Sequence, residues 1–206
     1  MRKIAFWEVD TQVDFMLPNG KLYVPSAEKI IPNIRRLVSA ASENGVFLFS
    51  EVDAHRENDP EFQRFPPHCL GGSPGAQIIP EGLTKDPVRV PNDPSIPVPA
   101  DLFTHSQVVL EKQTLDVFDN PRTSELVERF GGDTEYVVFG VATEYCVLHA
   151  AKGLVDRGRK VAIVRDAIQP LDPDEGRRAL DELRSAGARL ISTDEALEKI
   201  KIGMAC

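Results

Sequence analysis

The stretch "VVFGVATEYCVLHAAKGL" (137–154) joins an apolar run of strand length to a helical pattern, which predicts a strand–helix unit of an α/β fold. Thr143 is a suitable N-cap, and Gly158 follows the pattern as a stop signal. Cys146 falls in the first turn of the predicted helix, where unpaired backbone N–H groups point outward. It is therefore either a small core residue or a nucleophile, depending on what the fold places around it.

The same alternation of strands and helices runs along the rest of the chain. Strand-length runs that are apolar almost throughout indicate burial on both faces of a sheet. Six such runs are found, at 3–10, 45–53, 106–112, 135–141, 160–167 and 188–193. Two further helical patterns lie at 26–45, where Pro32 kinks or delays the helix, and at 172–187, where Asp172 precedes Pro173.

This pattern predicts an α/β fold in which helices cover both faces of a mostly parallel, six-stranded sheet. The expected architecture is a three-layer, Rossmann-like α/β/α domain that spans 1–206 as a single unit. A proline-rich segment at 66–99 interrupts the pattern, and we expect a folded loop that walls the active site. It could equally act as a lid or make subunit contacts, so a homo-oligomer remains open.

Composition and charge narrow the classes of partner. The formal net charge is −8, and the basic residues are scattered rather than clustered, which argues against a nucleic-acid surface. No run reaches the roughly 18 apolar residues of a membrane span. Glu8 and Asp10 interrupt the apolar N-terminal stretch too early for a signal peptide. We therefore expect a cytoplasmic protein with a small-molecule substrate and no membrane or nucleic-acid partner.

Side chains with catalytic chemistry follow the predicted strands. Ligands of parallel α/β sheets bind beyond the carboxyl ends of the strands, where Asp10, Lys112 and Cys146 fall. A helix N-terminus and the Lys112 ammonium would lower the pKa of the Cys146 thiol. Asp10 would accept the thiol proton and later deliver it to a leaving amine. His149 shares a helix face with Cys146, and we interpret it as a packing residue.

The segment "DAHRENDPEFQRFPPHC" (53–69) has the residue types of a metal site. Asp53 and His55 point the same way in an extended segment, and His68 can return through a rigid Pro-Pro turn. Two histidines and a carboxylate suit Zn²⁺, with Fe²⁺ and Mn²⁺ as alternatives, and Glu61 is a candidate fourth ligand. The alternative is a polar surface loop without a metal.

The other two cysteines are given no chemical role. Cys69 adjoins His68, and adjacent residues rarely reach one ion, so we interpret Cys69 as structural. Cys206 is the last residue, and no role is assigned to it. An odd count of three cysteines without repeated spacing argues against a disulfide framework and for a reducing compartment.

Taken in order, these segments resemble the isochorismatase-like cysteine hydrolases, most closely the nicotinamidase/pyrazinamidase subgroup. The resemblance spans almost the whole chain. It rests on "VDTQVDF" (9–15), "VDAH" (52–55), "FPPHCLGGSPGAQI" (65–78), "EK" (111–112) and "GVATEYCV" (140–147). It implies a catalytic triad of Asp10, Lys112 and Cys146. It implies metal ligands at Asp53, His55 and His68, with Glu61 at an acidic ligand position found in some members.

The resemblance also implies how a substrate would be held. A cis peptide is expected at Val141–Ala142, so that the Ala142 and Cys146 N–H groups form the oxyanion hole. Phe15 and Phe65 match the aromatic residues that sandwich the ring, and Tyr145 would also line the pocket. The implied reaction converts nicotinamide to nicotinate and ammonia through a cysteine thioester, while the ion holds the pyridine nitrogen.

One segment departs from the family pattern and leaves two alternatives open. Many nicotinamidases have a glycine and a Tyr-Ser-x-Phe-like stretch after the lysine, where this chain reads "KQTLDVFDNP" (112–121). Phe118 could take the place of the missing tyrosine. The first alternative is a related hydrolase that acts on another small amide, carbamoyl or ureido. The second is a catalytically silent relative that binds a metal or small ligand.

Overall fold

A single parallel sheet forms the centre of the molecule in the computed structural model, which describes residues 3–204; Cys206 lies outside this range. Among these residues the sheet has seven strands rather than the predicted six. They are β1 (Lys3–Val9), β2 (Phe47–Asp53), β3 (Pro87–Val90), β4 (Gln107–Lys112), β5 (Thr134–Val141), β6 (Lys160–Gln169) and β7 (Arg189–Ile191). The six predicted strands are confirmed, and all pairings are parallel.

Helices follow β1, β4, β5, β6 and β7, whereas β2, β3 and β4 are joined by segments that contain only 3₁₀ turns. They are α1 (Val13–Met16), α2 (Ile31–Asn44), α3 (Pro121–Phe130), α4 (Leu148–Asp156), α5 (Pro173–Ser185) and α6 (Thr193–Met204). The chain forms a 3₁₀ turn over Ala27–Ile30, and α2 begins only at Ile31, next to Pro32. The start of the helix is therefore delayed, as Pro32 predicted. Asp172 caps α5 by accepting hydrogen bonds from the N–H groups of Asp174 and Glu175.

Two helices were absent from the prediction, although both have cap signals in the sequence. Asn120 caps α3 and precedes Pro121, a residue that favours the first helical position. At α6, Ser192 and Glu195 form a reciprocal capping box: each side chain accepts a hydrogen bond from the other's backbone N–H. Cap signals therefore mark the starts of two helices that hydrophobic periodicity alone did not indicate.

The strand order is β3-β4-β2-β1-β5-β6-β7, which places β1 at the centre. The chain extends the sheet in one direction from β1 to β2 and β4, then crosses to β5 on the other side. The boundary between β1 and β5 is therefore a topological switch point, where the connections diverge and leave a crevice beyond the strand ends. At this boundary a Cβ on Gly140 would lie 2.0 Å from the Val9 carbonyl oxygen, so only glycine permits the close approach.

Two apolar cores lie on opposite faces of the sheet and give the expected three layers. Side chains of α3, α4 and α5 pack on one face, and those of α2 and α6 pack on the other. Alternation along β1 supplies both cores, since Trp7 and Val9 belong to the first and Phe6 to the second. Within residues 3–204, no helix has the length and apolar character needed to cross a membrane.

The proline-rich segment 66–99 differs from its prediction. Only its beginning reaches the active-site edge, where His68 lies. The rest forms short 3₁₀ turns and β3, which pairs with β4 at the end of the sheet. Prolines are tolerated there because an edge strand leaves one side of its backbone unpaired. Most of the segment therefore lies away from the pocket, and its strand β3 adds an edge to the sheet.

Candidate active site

The carboxyl ends of the central strands bring four reactive side chains together. Asp10 follows β1, Asp53 ends β2, Lys112 ends β4 and Cys146 follows β5. Pairing of Asp53 with Lys112 in the β2–β4 register sets these two residues side by side. Asp10 has a φ of 45°, in the left-handed region, so the chain turns sharply as it leaves β1. All four side chains are buried.

Lys112 lies at the centre of this group. Its Nζ is 2.9 Å from Asp10 Oδ2 and 3.5 Å from Cys146 Sγ, and it also donates to Asp53 Oδ1. A buried ammonium is tolerated only when it is paired, and here two carboxylates surround it. Burial lowers the pKa of Lys112, but Asp10 and Asp53 outweigh burial and raise that pKa well above its usual range. The lysine is therefore a permanent cation beside the cysteine.

The two carboxylates have opposite pKa shifts. Burial raises the pKa of Asp10 to about 7, even though Lys112 lowers it. Burial also acts to raise the pKa of Asp53, but Lys112 and the two neighbouring histidines outweigh it and hold that pKa well below its usual range. Asp53 therefore stays ionised, while Asp10 can take up and release a proton near neutral pH.

The pKa of the Cys146 thiol is shifted in the direction opposite to the prediction. Burial raises the pKa of Cys146 well above its usual range, and the Asp10 carboxylate raises it further, while Lys112 lowers it only in part. The expected lowering by the lysine and the helix start is outweighed because the sulfur is removed from water. In this form the thiol is protonated, so a base must accept its proton when the sulfur attacks. Asp10 is the carboxylate beside it.

A second cluster adjoins the first and shares Asp53 with it. Asp53 Oδ2 lies 3.4 Å from both His55 Nε2 and His68 Nε2. Glu61 Oε1 lies 3.9 Å from His68 Nε2. The candidate ligand atoms of these four residues all lie within 4.8 Å of one another. Asp53 thus faces Lys112 with one oxygen and the two imidazoles with the other.

The donor set of this cluster fits a divalent cation. The Nε2 atoms of His55 and His68 are buried, and neither has a hydrogen-bond partner among the described residues. A buried polar atom without a partner costs free energy, and coordination would satisfy both nitrogens. The other ring nitrogens face oxygen atoms: His55 Nδ1 lies 3.1 Å from Asp59 Oδ2, and His68 Nδ1 lies 2.8 Å from the Pro66 carbonyl. Such partners orient metal-binding imidazoles.

Local structure explains how distant residues meet in this cluster. The His55 N–H donates to the Cys69 carbonyl, so residue 55 pairs with the chain that returns beside it. A 3₁₀ turn over Pro60–Gln63, capped by the Asp59 side chain, carries Glu61 toward the histidines. Cys69 is buried and its sulfur faces the Gly75 carbonyl at 3.9 Å, away from the ligand set.

The peptide between Val141 and Ala142 is cis, as the resemblance implied. The segment that follows is a π-helical turn over Thr143–Val147 that leads into α4. Ala142 rather than Thr143 occupies the N-cap position of this turn. Cys146 therefore lies within the turn, and α4 begins two residues later at Leu148.

A narrow cavity with about 30 Å³ of open space connects the two clusters. Besides the reactive residues, its lining is mostly apolar. The lining residues are Asp10, Phe15, Leu22, Val24, Asp53, Glu61, Phe65, His68, Leu115, Val141, Ala142, Tyr145, Cys146 and Leu171. Phe15 packs edge-on against His68 with ring centroids 5.2 Å apart, and Phe65 packs edge-on against Tyr145 at 5.6 Å. The three predicted aromatic residues therefore share this cavity.

The segment after Lys112 contributes Leu115 and not Phe118 to the cavity. Phe118 instead packs against Trp7 in the core, with ring centroids 6.2 Å apart. His149 lies outside this cavity, on the wall of a neighbouring surface cleft. The expectation that Phe118 replaces a pocket tyrosine was therefore wrong, because the 3₁₀ turn over Val117–Asp119 directs it inward.

Comparison with known proteins places these motifs in a family. The isochorismatase domain matches residues 6–90 and 96–195, which is most of the chain. The chain belongs to the isochorismatase family.

This isochorismatase-family chain is similar to proteins of the nicotinamidase/pyrazinamidase subgroup. A nicotinamidase of Escherichia coli K12 is 27% identical over 206 residues, covering 88% of this chain and 91% of that protein. The crystal structure of a Pyrococcus horikoshii pyrazinamidase in complex with zinc is 27% identical, with a TM-score of 0.75 over 92% of this chain and 99% of that one. These relatives support a family-level hydrolase and a divalent metal at the histidine cluster.

The same fold also occurs in a relative that acts on a different amide. An N-carbamoylsarcosine amidase from Thermoplasma acidophilum has a TM-score of 0.72 and 23% identity, and the match covers 93% of this chain and 97% of that one. At this identity the likeness shows the fold alone. The substrate must be argued from the residues that line the cavity.

Three polar residues of this isochorismatase-family site were not singled out from the sequence. Asp59 faces His55, and its place before Pro60 is a cap signal. Gln12 exchanges two hydrogen bonds of 2.8 Å with the Asp53 backbone, which ties the ends of β1 and β2 together. Asp14 accepts a hydrogen bond of 2.7 Å from the Cys69 N–H. The last two belong to the "VDTQVDF" motif, so their position was visible but their role was not.

Proposed function

We propose that this protein is a metal-dependent amidohydrolase that converts nicotinamide to nicotinate and ammonia through a thioester on Cys146. The observation that supports this most directly is the shared carboxylate. Asp53 joins a buried Asp10–Lys112–Cys146 group to a ligand set of His55, His68 and Glu61. A nucleophile and a ligand set that line one narrow, mostly apolar cavity suit a small ring with a carboxamide.

The cavity favours a neutral aromatic amide over a carbamoyl amino acid. Among the described residues, no arginine or lysine lines it, so a substrate carboxylate would lack a charge partner. Leu115 adds a further apolar side chain to the lining. The half-buried Phe65 and Tyr145 side chains form part of the wall of this narrow cavity and offer aromatic faces and edges to a ring.

The first half of the proposed reaction forms the thioester. The Cys146 thiol gives its proton to Asp10 as the sulfur attacks the carboxamide carbon, and the carbonyl oxygen becomes an oxyanion. The backbone N–H groups of Ala142 and Cys146 hold this oxyanion. When the carbon–nitrogen bond breaks, Asp10 returns the proton to the nitrogen, and ammonia leaves.

The second half hydrolyses the thioester and regenerates the cysteine. Asp10, again ionised, takes a proton from a water molecule that attacks the thioester carbon. The carbon–sulfur bond then breaks, the Cys146 thiolate recovers the proton from Asp10, and the product leaves as nicotinic acid, which gives its proton to solvent to become nicotinate. Lys112 stabilises the negative charge that passes between Asp10 and the sulfur, and it remains a cation throughout because its pKa is raised.

Asp53, His55 and His68 would hold the metal ion, with Glu61 as a fourth ligand. We propose Zn²⁺, since two imidazoles and carboxylates suit it; Fe²⁺ and Mn²⁺ are the alternatives. When bound, the ion supplies a Lewis acid for the pyridine nitrogen and fixes the ring so that the carboxamide faces Cys146. His55 and His68 are oriented for this by Asp59 and the Pro66 carbonyl.

Ammonia release from nicotinamide tests the proposal. The purified protein should release ammonia, and Cys146→Ala should lower the rate by about 10⁴-fold or more while keeping the melting temperature near that of the wild type. His55→Ala should lose zinc and activity together. Release by Cys146→Ala at the wild-type rate would contradict the mechanism.

A panel of substrates distinguishes hydrolysis of nicotinamide from hydrolysis of the alternative carbamoyl amides. Nicotinamide, pyrazinamide and an N-carbamoyl amino acid should be compared with the same zinc-loaded protein. Release from the carbamoyl compound alone would remove nicotinamide and favour the carbamoyl hydrolase. Absence of turnover on every amide, with zinc bound and Cys146 unreactive toward iodoacetamide, would favour a silent ligand-binding relative.

A further inference from the structure

Asp14 is a buried carboxylate of the "VDTQVDF" motif that neither the proposed chemistry nor the ligand set uses. It lies in α1, and its two oxygens accept hydrogen bonds from two different segments. Oδ2 accepts from the Cys69 N–H at 2.7 Å, and Oδ1 accepts from the Lys21 N–H at 3.0 Å. One side chain therefore joins the start of the proline-rich segment to the loop that carries Leu22 into the cavity.

The Cys69 peptide connects Asp14 to both histidines of the cluster. Cys69 directly follows His68, and it has a φ of 44°, a conformation that a non-glycine residue rarely adopts unless it is held. Its N–H donates to Asp14, and its carbonyl accepts from the His55 N–H at 3.1 Å. Both imidazoles thus depend on the placement of one residue, Cys69, whose N–H is held by Asp14 and whose carbonyl holds the backbone of His55.

Two glycines make room for Asp14, one beside its carboxylate and one beside its backbone carbonyl. A Cβ on Gly75 would lie 2.3 Å from Asp14 Oδ2, and a Cβ on Gly20 would lie 2.2 Å from the Asp14 carbonyl oxygen. Atoms cannot approach so closely, so any side chain at Gly75 would displace the carboxylate. Gly75 belongs to "FPPHCLGGSPGAQI" (65–78), a segment of the resemblance in which only Phe65 and His68 had been assigned a function.

We propose that Asp14 is a positioning residue for the metal site: it holds the Cys69 peptide so that His68 and His55 present their Nε2 atoms to one ion. The inference rests on the metal site of the proposed function. A carboxylate is required because the side chain must accept hydrogen bonds from both the Cys69 N–H and the Lys21 N–H. An asparagine would satisfy one donor and turn its own NH₂ toward the other, which would leave a buried donor without a partner.

Zinc affinity, measured by competition with a chromogenic chelator, tests the proposal. Asp14→Asn should weaken zinc binding by about 10–100-fold, the usual effect of losing a partner that orients a ligand. Gly75→Ala should weaken it similarly without altering Asp14 itself. Gly71→Ala is the matched control in the same segment, because its Cβ would meet only the His55 carbonyl oxygen at 3.6 Å, and it should bind zinc as the wild type does.

Two further readouts separate positioning from a general loss of structure. The metal-free variants should melt near the metal-free wild type, and excess zinc should restore nicotinamide turnover of Asp14→Asn toward the wild-type kcat. Folded Asp14→Asn and Gly75→Ala proteins that bind zinc within twofold of the wild type would overturn the proposal. Equal weakening by Gly71→Ala would also overturn it, as would failure of both test variants to fold.

The experiment distinguishes this inference from the proposed function. If the wild type binds zinc and the variants weaken it as expected, yet nicotinamide is not hydrolysed, the proposed substrate fails and the role of Asp14 stands. If the wild-type protein binds no zinc at pH 7.5, the metal site and the role of Asp14 both fail.

Discussion

Two buried polar clusters lie on the central strands, and they differ in how completely their atoms are paired. Around Glu8, both carboxyl oxygens accept hydrogen bonds: Thr11 donates to one at 2.7 Å, and Ser50 donates to the other at 2.6 Å, supported by Gln107. Around Asp10, the carboxylate is paired with an ammonium, and its Oδ1 has no partner among the described residues.

The pairing separates a structural cluster from a reactive one. Burial raises the pKa of both Glu8 and Asp10 to about 7, so the pKa alone does not tell them apart. The Glu8 cluster is closed by neutral donors and leaves no atom for a ligand. The Asp10 cluster borders a cavity, includes a thiol, and adjoins the Nε2 atoms of His55 and His68, which have no hydrogen-bond partner within residues 3–204. Unpaired buried atoms beside a cavity, rather than shifted pKa values, indicate the site.

Among the tests of this comparison, removal of the Lys112 ammonium should have the largest effect on stability and turnover. Lys112→Met leaves Asp10 and Asp53 buried without their common partner, so we expect a loss of about 3–5 kcal/mol in the free energy of unfolding at pH 7.5. Turnover should fall by about 10³-fold or more, since the negative charge on sulfur loses its stabilisation. Urea denaturation and ammonia release measure the two effects.

The matched control is an exposed lysine. Lys152 pairs with Glu182 at the surface at 2.6 Å. Lys152→Met should change stability by less than about 1 kcal/mol and leave turnover unchanged. Equal effects of the two substitutions would show that Lys112 is not the centre of the reactive cluster.

The pH profile of catalysis should report Asp10 and not Glu8. Because Asp10 must be ionised to accept the thiol proton, kcat/KM should fall about tenfold per pH unit below pH 7, where Asp10 becomes protonated. The Glu8→Gln variant should keep this acid limb. If the limb disappeared in Glu8→Gln, the titrating base would be Glu8, and the assignment of the two clusters would be reversed.

The same variant should change the pH dependence of stability. Glu8 has a folded pKa of about 7 against an ordinary value of 4.5, so its contribution is complete below pH 4.5 and is lost as pH rises through 7. The wild type should therefore lose on the order of 3 kcal/mol more than Glu8→Gln between pH 4.5 and 8. Urea denaturation across this range measures the difference, with the exposed Glu43→Gln as control. Parallel curves for the wild type and Glu8→Gln would show that Glu8 is ionised when folded.

Much of the fold was predictable because burial on both faces leaves a simple signal. Six strands and the helices α2, α4 and α5 were predicted from apolar runs and periodicity. β3 was missed because its four residues lie among prolines and two of them are exposed, so no apolar run indicates them. The helices α3 and α6 were missed although Asn120 and the Ser192–Glu195 box indicate where they begin.

The features of the site also divide into those that the sequence predicts and those that depend on tertiary contacts. The strand-end residues and the ligand set were predicted, because a parallel sheet brings the carboxyl ends of its strands to one edge whatever the details of packing. The protonated state of Cys146 and the inward position of Phe118 were not predicted, because both depend on burial that no local pattern reveals. The roles of Gln12, Asp14 and Asp59 depend in the same way on contacts between distant segments.

The sequence by itself determined the parallel α/β architecture, the edge of the sheet that carries the chemistry, and the identity of the side chains there. These follow from periodicity and strand order, which are local properties of the chain. Only the tertiary structure decided that Asp53 is shared between Lys112 and the histidines, and that Asp14 accepts a hydrogen bond from the residue that follows His68. Such contacts join residues far apart in sequence, so their distances and pKa shifts exist only once the chain has folded.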